Sequence, residues 1–160
     1  MKTLIIGYGS PLRSDDGAGP WLVDALSRQI DDPSMQFMTC HQLSPDLAGA
    51  FSRVDKVVFV DARRADKTGD LQLQQLSPDD LCSDFFSHHM PPQNILALCR
   101  ALYGACPEAL VVTVSTSELE PGLDLSPALR RALPEMLRRI KALLMENDFS
   151  GDVCQMHCRA

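Results

Sequence analysis

Three side chains with metal-binding chemistry lie at the ends of predicted elements or in the loops between them. Asp16 follows the run "TLIIGYG" after a short glycine loop, Asp61 ends the run "KVVFVD", and His88 stands in "SHHMPP" ahead of the helical pattern "NILAL". Two carboxylates and one imidazole suit a divalent metal ion and leave coordination positions open for a further ligand. These types predict a metal site, provided that the fold brings them together.

Each of these residues also has an ordinary structural interpretation. Asp15 or Asp16 could cap the first helix, a position that aspartate favours. A carboxylate at the end of a buried strand costs free energy unless it is hydrogen-bonded or paired, and this favours a functional role for Asp61. His88 and His89 are adjacent in a polar loop, where a single histidine is often solvated, and either could be the ligand.

The elements that must position these side chains alternate between strands and helices. Apolar runs predict strands near residues 4–6, 35–40, 56–62 and 109–116, and the alternating run 71–74 predicts an edge strand. Helical spacing follows most of them, and Ser126 and Pro127 mark the start of a last long helix. The pattern predicts a three-layer α/β/α sandwich around a mostly parallel, twisted sheet of about five strands.

Strand ends in such a sheet explain why the three side chains could converge. The functional crevice of an open α/β sheet lies beyond the carboxyl ends of its strands. Asp16 and Asp61 are therefore expected on one rim, within reach of His88. We expect residues 1–150 to form one domain and residues 151–160 to form a flexible tail without a catalytic role.

Composition narrows the possible partners. The 160-residue chain carries a formal net charge of -6, which argues against a nucleic-acid surface. The first apolar stretch is too short for a signal peptide or a membrane span, so we expect a cytoplasmic protein without membrane contact. The six cysteines are expected to be reduced thiols. Cys154, His157 and Cys158 could bind a metal but lack a fourth ligand for a closed tetrahedral site.

Other site types can be compared with the same residues. A dinucleotide loop needs a third glycine where Leu12 stands, and the acids after it would repel a pyrophosphate. A phosphoacceptor receiver domain would use Asp15–Asp16, Asp61 and Ser115–Thr116, but a glycine loop separates the early acids from their strand, and no final strand ends in lysine. No Ser-His-Asp arrangement and no Asp-Ser/Thr-Gly pattern is apparent.

Several motifs in order resemble one family, the hydrogenase maturation endopeptidases. The family's opening pattern, G-x-G-N-x-L-x-x-D-D/E-x-x-G, is similar to "GYGSPLRSDDGAG", with Ser10 in place of the usual Asn. The segments "HQLSPDLAGAFSRVDKVVFVDA", "SHHMPPQNILAL" and "ELEPGLDLSPALRRALPEML" look like its later units. The resemblance covers nearly the whole chain.

The resemblance implies a function and a ligand set. It implies an endopeptidase that removes the C-terminal extension from the precursor of a NiFe hydrogenase large subunit, with nickel already seated in that substrate. The metal ligands then fall on Asp16, Asp61 and His88, whereas the group that handles protons is not assigned. A phosphoacceptor signalling domain and a non-catalytic metal-binding chaperone are the alternative functions.

Overall fold

The structure, a computed structural model, describes residues 1–80 and 90–147 of the chain. The described strands are β1 (Thr3–Tyr8), β2 (Met35–Cys40), β3 (Lys56–Arg64), β4 (Leu71–Leu76) and β5 (Glu108–Thr116). The described α-helices are α1 (Ala18–Gln29), α2 (Leu47–Phe51), α3 (Pro92–Tyr103) and α4 (Pro127–Glu146). A short 3₁₀ helix, Ser14–Gly17, stands between β1 and α1.

The strands form one sheet in the order β2-β1-β3-β5-β4. All neighbours run parallel except β4, which pairs antiparallel with β5 at one edge. The predicted edge strand and the mostly parallel five-stranded sheet are therefore confirmed. Residues 57–60 of β3 are buried because this strand lies inside the sheet and is covered on both faces.

Helices cover both faces of the sheet and bury two apolar clusters. On one face, α1 and α4 pack Leu22 and Leu133 against Val58 of β3. On the other face, α2 and α3 pack Phe51 and Ile95 against Phe59 of the same strand. Neighbouring residues of a strand point to opposite faces, so β3 feeds both clusters. We call the second side the α2/α3 face.

Glycine allows the first helix to lie close to the sheet. A Cβ built on Gly19, in the first turn of α1, would lie 2.4 Å from the carbonyl oxygen of Val60. One built on Gly7 of β1 would lie 2.4 Å from the carbonyl oxygen of Gly19. Larger residues would push the helix away, so these two glycines of the opening motif set the distance between α1 and the strands.

The last helix begins as the sequence predicts. Ser126 is the N-cap of α4, its hydroxyl accepts a hydrogen bond from the Leu129 N–H at 3.2 Å, and Pro127 takes the first helical position. The helix continues through Pro134 to Glu146.

Several predictions concern residues that the structure does not describe. The predicted domain end at residue 150, the tail residues Cys154, His157 and Cys158, and both His88 and His89 lie outside the described residues. The three cysteines of the described part, Cys40, Cys99 and Cys106, are free thiols. Within residues 1–80 and 90–147, no helix is both long and apolar enough to cross a membrane.

Candidate metal-binding site

Asp16 and Asp61 lie at the carboxyl ends of neighbouring strands. Asp16 belongs to the 3₁₀ helix that follows β1, and Asp61 lies in β3 directly after the last residue that pairs with β1, Val60. The charge of Asp16 is close enough to raise the pKa of Asp61, although burial of Asp61 is the largest cause of that shift. The fold thus brings together two of the three predicted site residues.

The third predicted ligand, His88, is outside the described residues, so its position relative to the two carboxylates stays a prediction. Its near neighbour Met90 is described and packs on the α2/α3 face, the same face as Tyr8. Among residues 1–80 and 90–147, no three His, Cys, Asp or Glu side chains are arranged to hold a metal ion.

The glycine loop holds the Asp16 carboxylate in place. The backbone N–H of Ser10 donates a hydrogen bond to Oδ2 of Asp16 at 2.7 Å. Gly9, one residue earlier, has a φ of 145°, a conformation that side chains disfavour, and a Cβ there would lie 1.9 Å from the carbonyl oxygen of Asp16. The loop can therefore fold over Asp16 only with glycine at this position.

Asp61 has a carboxyl group with an unusual acidity. Its pKa is raised from 3.8 to about 7: burial is the largest cause, hydrogen bonds from Tyr8 and from the Ala62 N–H lower it, and the Asp16 charge adds to the rise. The Ala62 N–H lies 2.8 Å from Oδ1 of Asp61. Loss of hydration disfavours the ionised form, and this effect outweighs the two hydrogen bonds.

Tyr8 is a site residue that the sequence analysis missed. Its hydroxyl hydrogen-bonds with Asp61, and burial together with the Asp61 charge raises the pKa of the phenol well above its usual value. Its ring packs edge-on against Phe59, with the centroids 6.3 Å apart. The sequence shows Tyr8 only between two glycines, beyond the strand predicted near residues 4–6, and the pairing of β1 with β3 places it beside Asp61.

Asp15 has a structural role that differs from helix capping. The carboxylate is fully buried and accepts hydrogen bonds from the Ser126 N–H (2.6 Å), the Ser126 hydroxyl (2.7 Å) and the Thr116 hydroxyl. The N-cap of α1 is Gly17, which makes no side-chain cap bond. Neither early aspartate caps α1, and Asp15 instead joins the 3₁₀ helix to β5 and α4.

The arrangement favours binding of a cation. The two carboxylates lie near each other at the carboxyl ends of β1 and β3, and each accepts a hydrogen bond from a nearby backbone N–H. Burying like charges is costly, and a divalent cation with oxygen ligands neutralises them. A phosphate would meet repulsion at the same position.

The Asp15 hydrogen bonds predict a large stability difference between two adjacent aspartates. Asp15→Asn keeps the size of the side chain but places an NH₂ donor where hydroxyl donors now point, and we expect it to lower the free energy of unfolding by about 2–3 kcal/mol. Asp16→Asn, the matched control, should change it by no more than about 0.5 kcal/mol. Urea unfolding measures both, and equal midpoints would show that Asp15 is not a structural tie.

The raised pKa of Asp61 predicts a pH-dependent stability. Between pH 3.8 and a pH of about 7, the folded protein keeps a proton on Asp61 that the unfolded chain has released. The free energy of unfolding from this group therefore falls as pH rises, by at most about 1.4 kcal/mol per pH unit, and solvent access lessens the slope. This stabilisation is complete below the unfolded pKa and is lost as pH rises through about 7.

Asp61→Asn should remove that slope, so the variant gains stability relative to the unmodified protein as pH rises from about 4 to about 7. Urea unfolding at a series of pH values, with a chelator present, measures the difference. Asp31→Asn, at an exposed position, is the control. Parallel pH curves for Asp61→Asn and the unmodified protein would contradict the prediction.

Known proteins similar to this chain include several hydrogenase maturation proteases. No protein-family model matches the chain. The hydrogenase 2 maturation protease of Escherichia coli is 24% identical over 153 residues, which are 92% of this chain and 93% of that protein. Among solved structures, the NiFe hydrogenase maturation protease HycI from Thermococcus kodakarensis gives a TM-score of 0.73 at 18% identity, covering 90% of this chain and 92% of that one.

The hydrogenase maturating endopeptidase HybD from Escherichia coli gives a TM-score of 0.70 at 23% identity, covering 92% of this chain and 94% of that one. These structures establish that the fold is shared. The resemblance that the motifs predict is confirmed: over nearly its whole length, the chain is similar to the hydrogenase maturation proteases.

Proposed function

We propose that this protein is a cytoplasmic endopeptidase that removes the C-terminal extension of a nickel-loaded NiFe hydrogenase large-subunit precursor. The observation that carries the proposal is the meeting of Asp16 and Asp61 at the carboxyl edge of the sheet, in a chain that is similar to named maturation proteases. The sheet edge is where open α/β folds bind their ligands.

Nickel is the recognition element of the substrate in this proposal. Asp16, Asp61 and His88 act as protein ligands for the nickel that the precursor brings. Support for His88 comes from its position directly after Ser87, as in the family's histidine loop, and from Met90, which packs on the face that carries Tyr8. A precursor without nickel cannot engage these ligands, so cleavage follows metal insertion.

The proposed chemistry is metal-assisted hydrolysis of a peptide bond. The metal supplies Lewis acidity that polarises the scissile carbonyl or a water molecule. The chain's own contribution is a positioned carboxyl group. Asp16 or Asp61 is the carboxyl group that would help to transfer a proton during this hydrolysis.

The phosphoacceptor alternative fits the described geometry less well. A receiver domain needs its early acids and its Ser or Thr free to work around the phosphorylated aspartate. Here Thr116 donates its hydroxyl to the buried Asp15, and Ser126 binds the same carboxylate. A non-catalytic metal-binding chaperone would share the metal ligands, and an activity measurement separates it from a protease.

The central experiment compares nickel-loaded with nickel-free precursor. Purified protein is incubated with each form, and mass spectrometry follows the loss of the C-terminal extension. We expect cleavage of the loaded form alone, because only that form completes the coordination shell. Equal cleavage of both forms would refute nickel recognition. Cleavage of neither form would favour the chaperone, and stable labelling of Asp61 by a small phosphodonor would favour the receiver domain.

The ligand assignment predicts a set of variant activities. Asp16→Ala, Asp61→Ala and His88→Ala should each abolish cleavage of loaded precursor while the protein stays folded, since they remove metal ligands and little packing. His89→Ala is the control within the loop and should be milder. Cleavage assays and circular dichroism report the two properties. An inactive His89→Ala beside an active His88→Ala would exchange the two histidines in the assignment.

A further inference from the structure

Arg63 occupies a position close to the metal site that the reaction described above leaves unused. It lies two residues beyond Asp61 in β3 and is in register with Ser115 of β5. Residues 57 and 59 of β3 belong to the cluster on the α2/α3 face, so strand alternation places Asp61 and Arg63 on that face as well. Pairing of β3 with β1 stops at Val60, so the strand continues past β1 at Arg63.

The Arg63 side chain has a buried donor that finds no acceptor among the described residues. Within residues 1–80 and 90–147, the Nε of Arg63 is the one buried side-chain polar atom that makes no hydrogen bond. None of the ion pairs in that part of the chain includes Arg63. A buried donor without a partner costs free energy, so folded proteins rarely keep one unless something else supplies the acceptor.

The adjacent arginine shows the contrast. Arg64 points away from this face by strand alternation, is exposed, and pairs with Glu120, with 3.1 Å between Nη2 and Oε1. Asp61 does not pair with Arg63: its hydrogen bonds come from Tyr8 and Ala62, and Arg63 is not among the groups that shift its pKa. Arg63 therefore carries a positive charge and a donor that the described chain does not use.

Geometry relates this donor to a peptide lying at the metal site. Alternate residues of a strand lie about 6.6 Å apart along the strand, and an extended peptide advances by the same distance. When the scissile bond lies at Asp61, a group one or two residues away along the peptide is level with Arg63. The guanidinium is a planar donor that matches carboxylate and carbonyl oxygens.

We propose that Arg63 is a specificity-determining residue that donates hydrogen bonds to an oxygen acceptor of the precursor peptide, one or two residues from the scissile bond. The inference rests on the proposed peptidase function and deepens it. The acceptor is either an acidic side chain or a main-chain carbonyl of the precursor. In both cases Arg63 contributes to binding of the peptide and leaves binding of the metal to the carboxylates.

The test compares Arg63→Met with Arg64→Met, which removes the neighbouring positive charge. With nickel-loaded precursor, Arg63→Met should raise KM by about ten- to a hundred-fold, the effect of losing a charge-assisted hydrogen bond. Arg63→Lys should lie between, because it keeps the charge and loses the planar fork. Arg64→Met should match the unmodified protein. Nickel affinity of the free protein and its melting temperature should be unchanged in Arg63→Met.

A second arm identifies the acceptor. Acidic residues of the precursor near the cleavage site are replaced by Ala, one at a time. If one of these side chains is the acceptor, its replacement raises KM as much as Arg63→Met does, and the two changes together add nothing further. If the acceptor is a main-chain carbonyl, no such replacement reproduces the effect of Arg63→Met.

Equal KM values for Arg63→Met, Arg64→Met and the unmodified protein would overturn the proposal, as would a loss of nickel affinity in Arg63→Met. Binding of intact precursor, measured by fluorescence anisotropy, separates this result from failure of the proposed function. Binding without cleavage, weakened by Arg63→Met, would support Arg63 and refute the peptidase. Cleavage that Arg63→Met leaves unchanged would support the peptidase and refute the role of Arg63. No binding of the precursor by the unmodified protein would refute both proposals.

Discussion

The buried carboxylate of Asp15 is the interaction on which the site depends most. It receives the backbone and hydroxyl donors of Ser126 and the hydroxyl of Thr116, which belong to parts of the chain more than a hundred residues away. The 3₁₀ helix that carries Asp15 also carries Asp16. The same hydrogen bonds that hold the start of α4 against the end of β5 thus hold Asp16 at the sheet edge.

Glycine residues complete this arrangement from the opposite side. Gly9 allows the loop to turn against the backbone of Asp16, and Gly19 allows α1 to approach β3. The loop is therefore held between the N-terminus of α4 and the carboxyl ends of the central strands. A cation held by Asp16 and Asp61 would meet a fixed pair of carboxylates, which lowers the conformational cost of binding.

Electrostatics distinguishes the two carboxylates. Asp16 is oriented by a backbone N–H of its own loop, whereas Asp61 is partly buried beside a phenol and has a pKa of about 7. Groups whose acidity is shifted by burial and a like charge are common at functional sites. Arg63, farther along the same strand, adds a positive charge beyond the acidic pair. Along β3, the acidic side chain of Asp61 is thus followed two residues later by the basic side chain of Arg63.

Local patterns in the sequence determined the strands, the start of α4 and the approach of Asp16 to Asp61. Apolar runs, the edge-strand alternation and the Ser-Pro helix start all depend on neighbours in the chain, and they predict the strands, the parallel sheet and the start of α4. Because parallel strands end at one edge, they also predict that Asp16 and Asp61 meet. Tertiary structure decided the contacts between residues that are distant in the chain. Asp15 accepts hydrogen bonds from Ser126 and does not cap α1, and the Tyr8 hydroxyl bonds to Asp61. The Arg63 Nε has no hydrogen-bond partner among the described residues. Partners so far apart in the chain have no common period or spacing, because their contact comes from strand register and helix packing.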